Sequence, residues 1–122
     1  MKIASLAGDT SVLWTNNPQP SVHWDDINGG SVPFDICSDG AGGVYACWYL
    51  STTGVLYAQW FDNTGTAHWG ANGTIVCNIG LAISNPAISA DPTGGVIVAW
   101  RDVRNGHRGA LYAERISSAG SV

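Results

Sequence analysis

Apolar residues along this chain alternate with a period of two in short segments that glycine-rich turns separate. Residues Gly43–Tyr49 place Val44, Ala46 and Trp48 on one side and Tyr45, Cys47 and Tyr49 on the other. Both sides are largely apolar, which is typical of strands in a sheet that is covered on both faces. Because no 3.6-residue apolar period persists over ten residues, the pattern predicts no helix and an all-β fold.

The same pattern and its Gly, Asn-Gly and Asp-Pro punctuation predict the strands individually. The middle of the chain gives four: Phe34–Ser38, Gly43–Tyr49, Val55–Phe61 and Thr74–Cys77. The C-terminal part gives three: Ala87–Ala90, Val96–Arg101 and Ala110–Ile116. Two more are predicted near the N-terminus, at Ser11–Trp14 and Ser31–Pro33.

The chain contains an internal repeat. DGAGGVYACW (Asp39–Trp48) and DPTGGVIVAW (Asp91–Trp100) lie 52 positions apart and share five of ten residues. GVLYAQWFDNTG (Gly54–Gly65) and GALYAERISSAG (Gly109–Gly120) lie 55 positions apart and share five of twelve. His23-Trp24 followed by Asn28-Gly29 also matches His68-Trp69 followed by Asn72-Gly73. The sequence therefore consists of one full repeat with parts of two others.

Four antiparallel strands in a repeat of about 50 residues predict the blade of a β-propeller. We divide the chain into the tail of a preceding blade (residues 1–33), a complete blade (34–82) and a blade without its last strand (83–122), or about two to two and a half blades. A propeller closes with about four to eight blades. We therefore expect self-association into a dimer or trimer, in which the N-terminal strand of one chain completes the last blade of the next. The competing interpretation is that the chain is a fragment of a longer protein.

The repeat also resembles a known family, the tandem β-propeller blade repeats of bacterial, usually exported, proteins, whose units read D-x-x-G-G-x-x-V-A-W-x-D-x-R-x-G and then I-Y-A-Q-R and W-G-x-x-G. The matching residues are Asp91, Gly94, Gly95, Val98, Ala99, Trp100, Asp102, Arg104, Gly106, Tyr112, Ala113 and Arg115 in one repeat and Tyr57, Ala58, Gln59, Trp69, Gly70 and Gly73 in the other. The resemblance covers about residues 35–122 and implies a repeat type rather than a function. The chain departs from the family in having no recognisable export signal and too few blades.

Composition narrows the classes of partner. Only 11% of residues are charged and 45% are hydrophobic, which indicates a folded chain, and the net charge of −4 argues against nucleic acid as a partner. There is no apolar run of 18 residues for a membrane span and no secretory signal, so the cytoplasm is the default expectation, although the resembling repeats are exported. Cys37, Cys47 and Cys77 lack zinc-site spacing, and we expect reduced, buried thiols. One disulfide, between Cys37 and Cys47, stays open for an exported protein.

The Asp-Gly loops are the nearest approach to a chemical motif. A phosphate loop leads into a helix, and a calcium loop supplies several oxygen ligands, whereas here glycines lead into a strand and each loop has a single carboxylate. We therefore predict hairpin turns in which Asp39 and Asp91 accept hydrogen bonds from backbone N–H groups and the glycines take positive φ. No metal or cofactor is expected. His23 and His68 precede Trp at the same repeat position, which favours a packing role.

The candidate binding residues are Arg101, Asp102, Arg104, His107 and Arg108 in WRDVRNGHRG, with Trp60 as an aromatic that could stack on a sugar. A loop of salt-bridged residues is the simpler interpretation of this cluster. Length differences between repeats fall in the loops of one predicted rim, where propellers usually bind ligands. The sequence thus predicts a non-enzymatic module that binds carbohydrate or another small polar ligand. The alternatives are a structural or protein-interaction module and, less favoured, a glycosidase-like propeller enzyme.

Overall fold

The computed structural model describes residues 33–80, 82–106 and 109–122. In this part of the chain, seven strands and no helix are present: β1 Phe34–Ser38, β2 Val44–Leu50, β3 Val55–Phe61, β4 Thr74–Asn78, β5 Ile83–Ala90, β6 Val96–Asp102 and β7 Ala110–Ile116. These strands confirm the all-β prediction and agree with the predicted segments, except that β5 starts four residues earlier. The predicted strands Ser11–Trp14 and Ser31–Pro33 lie outside the described residues, apart from Pro33, whose carbonyl accepts a hydrogen bond from Tyr49 N.

The strands form two antiparallel sheets. Sheet 1 has the order β1-β2-β3-β4 and sheet 2 the order β5-β6-β7. The two sheets share one register: Trp48 pairs with Tyr57 in sheet 1, and Trp100 pairs with Tyr112 in sheet 2. This identity of pairing confirms the alignment of the two repeats, including the change of offset from 52 to 55.

Each sheet has two faces that the alternation of its second strand defines. Face A carries Val44, Ala46 and Trp48 in sheet 1 and Val96, Val98 and Trp100 in sheet 2, and face B carries Tyr45, Cys47 and Tyr49 in sheet 1 and Ile97, Ala99 and Arg101 in sheet 2. Face A of sheet 2 packs on face B of sheet 1, with β5 lying against β1 and β2. The contact therefore joins unlike faces of two equivalent sheets.

One hydrophobic core lies between the sheets. Its buried residues come from face B of sheet 1, from face A of sheet 2 and from the loop before β4, and they include Tyr45, Cys47, Leu56, Trp69, Val96, Val98, Trp100 and Ile116. Trp69 and Trp100 are buried in this core. Trp48 is half-buried and lies on face A of sheet 1. Trp24 is outside the described residues.

Polar contacts fasten the sheets together at both ends of β4. At one end, Trp69 Nε1 donates to the carbonyl of Ser118 at 3.1 Å, and Thr74 Oγ1 donates to the carbonyl of Gly120 at 2.7 Å. At the other end, Arg104 Nη2 lies 3.3 Å from Cys77 Sγ. At the opposite edge of sheet 1, Asp35 Oδ2 of β1 accepts a 3.0 Å hydrogen bond from Ile88 N. Polar contacts therefore join the two sheets at both edges of sheet 1.

Candidate functional site

The most polar part of the predicted site lies where β6 ends and turns toward β7. Asp102, the last residue of β6, is buried, and its carboxylate accepts hydrogen bonds from Trp100 Nε1 at 2.9 Å and from Arg104 N at 3.0 Å. Arg104 also reaches Asp102 through Nε and Nη2, the latter at 2.5 Å. These bonds from Arg104, with that from Trp100, lower the pKa of Asp102 to about 2.

Arg104 joins this carboxylate to two further groups. Its guanidinium carbon lies 3.9 Å from the centre of the Tyr112 ring, within the range of a cation–π contact. Its Nη2 also contacts Cys77 of sheet 1, so that the pair of Asp102 and Arg104 fastens sheet 2 to sheet 1. The simpler interpretation, a salt-bridged loop, thus describes this pair, in which Arg104 Nε and Nη2 form hydrogen bonds within the protein.

Arg101 differs from Arg104 in its surroundings. Its side chain is exposed on face B of sheet 2, and it forms no ion pair with another described residue. Gly109 lies against it, since a Cβ at that position would be 2.5 Å from Arg101 Nε. Arg101 is therefore the predicted site residue that keeps its charge available. His107 and Arg108, the remaining members of this cluster, lie outside the described residues.

Trp60 lies near the end of β3, at the opposite end of sheet 1 from the β2–β3 turn. The β2–β3 turn is the counterpart of the β6–β7 turn of sheet 2, which carries Arg104. Trp60 Nε1 donates to Asp39 Oδ2 at 3.0 Å, and the Trp60 ring stacks on His68 with 4.1 Å between centroids. The structure therefore brings Asp102 and Arg104 together, whereas Arg101 lies on the other face of sheet 2 and Trp60 at the other end of sheet 1. One face and the N–H of this indole are already used within the protein.

The two Asp-Gly loops are the hairpin turns that the sequence predicts. Asp39 Oδ1 accepts from the N–H groups of Ala41 and Gly43, both at 2.8 Å, and Asp91 Oδ1 accepts from Thr93 N at 2.9 Å. Gly40, Gly42, Gly94 and Gly95 all have positive φ. A strand residue of each sheet adds a second donor to the carboxylate: Trp60 to Asp39, and Arg115 to Asp91. Trp60 and Arg115, which occupy the same repeat position, therefore both donate a hydrogen bond to the carboxylate of the neighbouring turn.

His68 belongs to the loop between β3 and β4. Its Nε2 lies 2.8 Å from Asp62 Oδ2, and Asp62 Oδ1 also accepts from Thr64 and Thr66. The pKa of Asp62 is lowered, first by the Thr64 hydroxyl and then by His68. The ring of His68 packs on Trp60, which agrees with the predicted packing role. His23, its counterpart in the repeat, is outside the described residues.

The surroundings of the three thiols do not favour reactivity. Cys37, Cys47 and Cys77 are all free, and the register places Cys37 opposite Tyr45 rather than opposite Cys47. Burial raises the pKa of Cys47 to about 12 and also raises the pKa of Cys37 and Cys77. A thiol whose pKa is raised holds little thiolate, the reactive form, at neutral pH.

The resolved pKa shifts of the carboxyl groups are those of hydrogen-bonded carboxylates. Where a pKa shift is resolved in the described chain, at Asp39, Asp62, Asp91 and Asp102, the shift is downward. A general acid in glycoside hydrolysis requires a raised pKa. Among the same residues, no group of three or more His, Cys, Asp and Glu side chains could hold a metal ion.

Gln59 matches the repeat pattern in the sequence, but its role in the structure was not predicted: it is buried and organises the loop before β4. Its Oε1 accepts from Trp60 N and Trp69 N, and its Nε2 donates to the Gly70 carbonyl at 2.7 Å. The equivalent residue of sheet 2 is Glu114, which is exposed. The signal available in the sequence was the change from Gln to Glu between the otherwise matching segments LYAQ and LYAE. Of these two side chains, the neutral amide both donates and accepts hydrogen bonds, whereas an ionised carboxylate only accepts them.

No protein-family model matches this chain, and comparison with curated proteins and with solved structures found no significant match to either. Within the described residues, no helix is long and apolar enough to cross a membrane.

Proposed function

We propose that the chain is a non-enzymatic binding module, an open segment of a β-propeller that becomes a closed ring by assembling with copies of itself. The observation that carries this proposal is the packing of two equivalent sheets through unlike faces. Repetition of such a head-to-tail contact produces either a closed ring or an open chain. Two sheets cannot close a ring alone, because propellers need about four to eight blades.

The proposal rests also on what each sheet is. Sheet 1 has four antiparallel strands in sequential order, which is the arrangement that a propeller blade requires. Sheet 2 has three strands in sequential order, β5-β6-β7. The third strand of sheet 2 therefore has one edge without a partner strand among the described residues. An edge of this kind favours pairing or packing with another chain.

The mass in solution tests the assembly. Sedimentation velocity over a range of protein concentrations should give a species of two or three times 12.8 kDa, together with the far-UV circular dichroism of a β protein. A folded species of 12.8 kDa at every concentration would exclude ring closure by copies of this chain.

Arg101 favours a ligand site at the end of the sheets that carries the β6–β7 turn. Its exposed guanidinium has no described ion partner, and Arg forms paired hydrogen bonds to carboxylates and to other planar anions. We therefore place the proposed polar ligand, a carbohydrate with an acidic group, next to Arg101 rather than at Asp102 or Arg104. Binding to a glycan array should weaken about tenfold in Arg101→Ala, since a hydrogen bond to a charged group contributes about 1.5–3 kcal/mol.

The matched control for this test is Arg115→Ala, which removes an exposed arginine from the opposite end of the same sheet. Equal loss of binding in both variants would mean that net charge rather than a site is responsible. An assembled protein that binds no glycan on the array would support the second candidate, a structural or protein-interaction module.

A further inference from the structure

Large apolar side chains stay exposed on two particular faces of the molecule. Phe34, Ile36 and Ile75 are exposed on face A of sheet 1, while Ile97 and Leu111 are exposed on face B of sheet 2. Val122, at the end of the chain, is the remaining large exposed hydrophobic residue in the described part. Soluble monomers rarely keep such side chains grouped on two faces, so each face is a candidate interaction surface.

Equivalent positions show what these faces lack. Leu56 in sheet 1 is 0% exposed, whereas its counterpart Leu111 in sheet 2 is 83% exposed. Likewise Ile88 in sheet 2 is 7% exposed, whereas its counterpart Ile36 in sheet 1 is 43% exposed. The residue types are identical within each pair. The difference is that Leu56 and Ile88 face the other sheet, and Leu111 and Ile36 do not.

We propose that face A of sheet 1 in one copy docks on face B of sheet 2 in a second copy, in the orientation that sheets 1 and 2 adopt within one chain. This proposal rests on the proposed assembly and names its interface and partner. The two exposed faces are the same pair of faces, A and B, that meet in the core. Face B of sheet 2 also carries Arg101, opposite Leu111, so this contact and a ligand at Arg101 exclude each other, and glycan binding to Arg101 in the assembled protein would overturn this interface. A surface that already packs well against its repeat equivalent has a complementary partner on every other copy.

The contact between sheets 1 and 2 within one chain indicates which residues would meet in the proposed contact between copies. Asp35 of sheet 1 accepts a hydrogen bond from Ile88 N of sheet 2. The repeat offset of 52 makes Ala87 the counterpart of Asp35 and Ile36 the counterpart of Ile88. Ile36 of one copy therefore faces Ala87 of the next, where the carboxylate acceptor is missing. The contact between copies is correspondingly more apolar than the contact within the chain.

Lysine substitutions on each face test the interface by loss. Ile36→Lys and Leu111→Lys in the full chain should each raise the dissociation constant of the assembly by about tenfold or more, because the contact would desolvate an unpaired ammonium group. Val122→Lys is the matched control, since it changes an exposed apolar residue outside both faces, and it should leave the constant unchanged. Sedimentation velocity measures all three, and circular dichroism checks that each is folded.

Restoration of the missing acceptor tests the interface by gain. Ala87→Asp should lower the dissociation constant by roughly tenfold, because it gives the Ile36 N–H of the next copy a charged acceptor of the kind that Asp35 offers Ile88. Ala99→Asp adds the same charge to the same face on the neighbouring strand, at the counterpart of Cys47, which is 0% exposed in the core, and should weaken the assembly instead. The pair separates a positioned hydrogen bond from a general effect of charge.

The possible results separate this proposal from the one on which it rests. A monomeric wild-type protein would overturn both. An assembled wild-type protein whose mass is insensitive to Ile36→Lys, Leu111→Lys and Ala87→Asp would keep the assembly and overturn this interface. Loss of stability without loss of mass in Ile36→Lys would mean that another part of the same chain covers face A, which also overturns the interface.

Discussion

The buried carboxylate of Asp102 offers the most direct test of how the two sheets are held together. In Asp102→Ala, Trp100 Nε1 loses its acceptor inside the core, and Arg104 loses the group that orients it toward Cys77. An unsatisfied buried donor costs about 1–3 kcal/mol. Removal of one partner from a buried ion pair costs up to about 3–5 kcal/mol.

The exposure of Arg104 reduces the second of these costs. Its side chain is 33% exposed, whereas that of Asp102 is 0% exposed, so water can solvate the guanidinium that is left behind. We therefore expect Asp102→Ala to lower the free energy of unfolding by about 3 kcal/mol in total. That loss corresponds to a melting temperature lower by roughly 10 °C for a chain of this size.

Asp102→Asn separates the charge from the hydrogen bond to the indole. The amide oxygen can still accept from Trp100, so this variant should lose about half as much stability as Asp102→Ala. The wild-type protein should lose its advantage over Asp102→Asn as the pH falls from about 4 to about 2. The pKa of Asp102 is 3.8 in the unfolded reference and about 2 in the folded protein, so the unfolded state takes up the proton first and folding loses stability on acidification.

Urea unfolding followed by tryptophan fluorescence, at one protein concentration, measures these differences. Thr52→Ala changes an exposed residue in the equivalent turn of sheet 1 and should stay within about 0.5 kcal/mol of the wild type. A loss below about 0.5 kcal/mol in Asp102→Ala at pH 7, or a constant gap between the wild type and Asp102→Asn from pH 7 to pH 2, would refute the role given to this carboxylate.

Two further predictions use matched positions. Gly95→Ala should cost about 3 kcal/mol or more, because φ is +88° and an added Cβ would overlap a carbonyl of β7; Gly106→Ala, with φ +99° but open space, should cost only about 1–2 kcal/mol. Gln59→Glu should cost about 2–4 kcal/mol, since a buried carboxylate would face the carbonyl to which the amide donates, whereas Glu114→Gln on the exposed counterpart should change stability by less than about 0.5 kcal/mol. Thermal unfolding of the four variants measures these losses. Equal losses in Gly95→Ala and Gly106→Ala would contradict the argument from the space around each glycine, and equal losses in Gln59→Glu and Glu114→Gln would contradict the argument from burial.

Much of the fold could be predicted from the sequence because the determinants are local and occur twice. Alternation gave the strands, the Asp-Gly segments gave the turns, and the offsets of 52 and 55 implied the register that β2–β3 and β6–β7 share. A one-residue slip would have moved every apolar side chain to the wrong face, so the pattern left little freedom. The start of β5 was less clear because Asn85, with positive φ, interrupts the pattern near its beginning.

The candidate site was less predictable because exposure depends on neighbours that the repeat does not specify. WRDVR at residues 100–104 is polar enough to indicate a binding loop, yet Asp102 is buried by its partners in three dimensions. Trp60 and Arg101 both stood out as candidates, but strand direction places them at opposite ends of the sheets. Leu56 and Leu111 occupy the same repeat position and differ completely in exposure, which no sequence pattern within one repeat can indicate.

The contacts at the two ends of β4 have a consequence for the size of any assembly. Arg104 with Cys77 at one end, and Trp69 with Ser118 at the other, join the two sheets at separate points and so restrain the angle between them. Subunit number in a closed ring is a matter of angle, since the turns per subunit must add to a full circle. In the proposed ring, a substitution that shortens one of these contacts and not the other would change the angle between the sheets and therefore the number of subunits, while each subunit stayed folded. An angle that did not allow the ring to close would produce filaments.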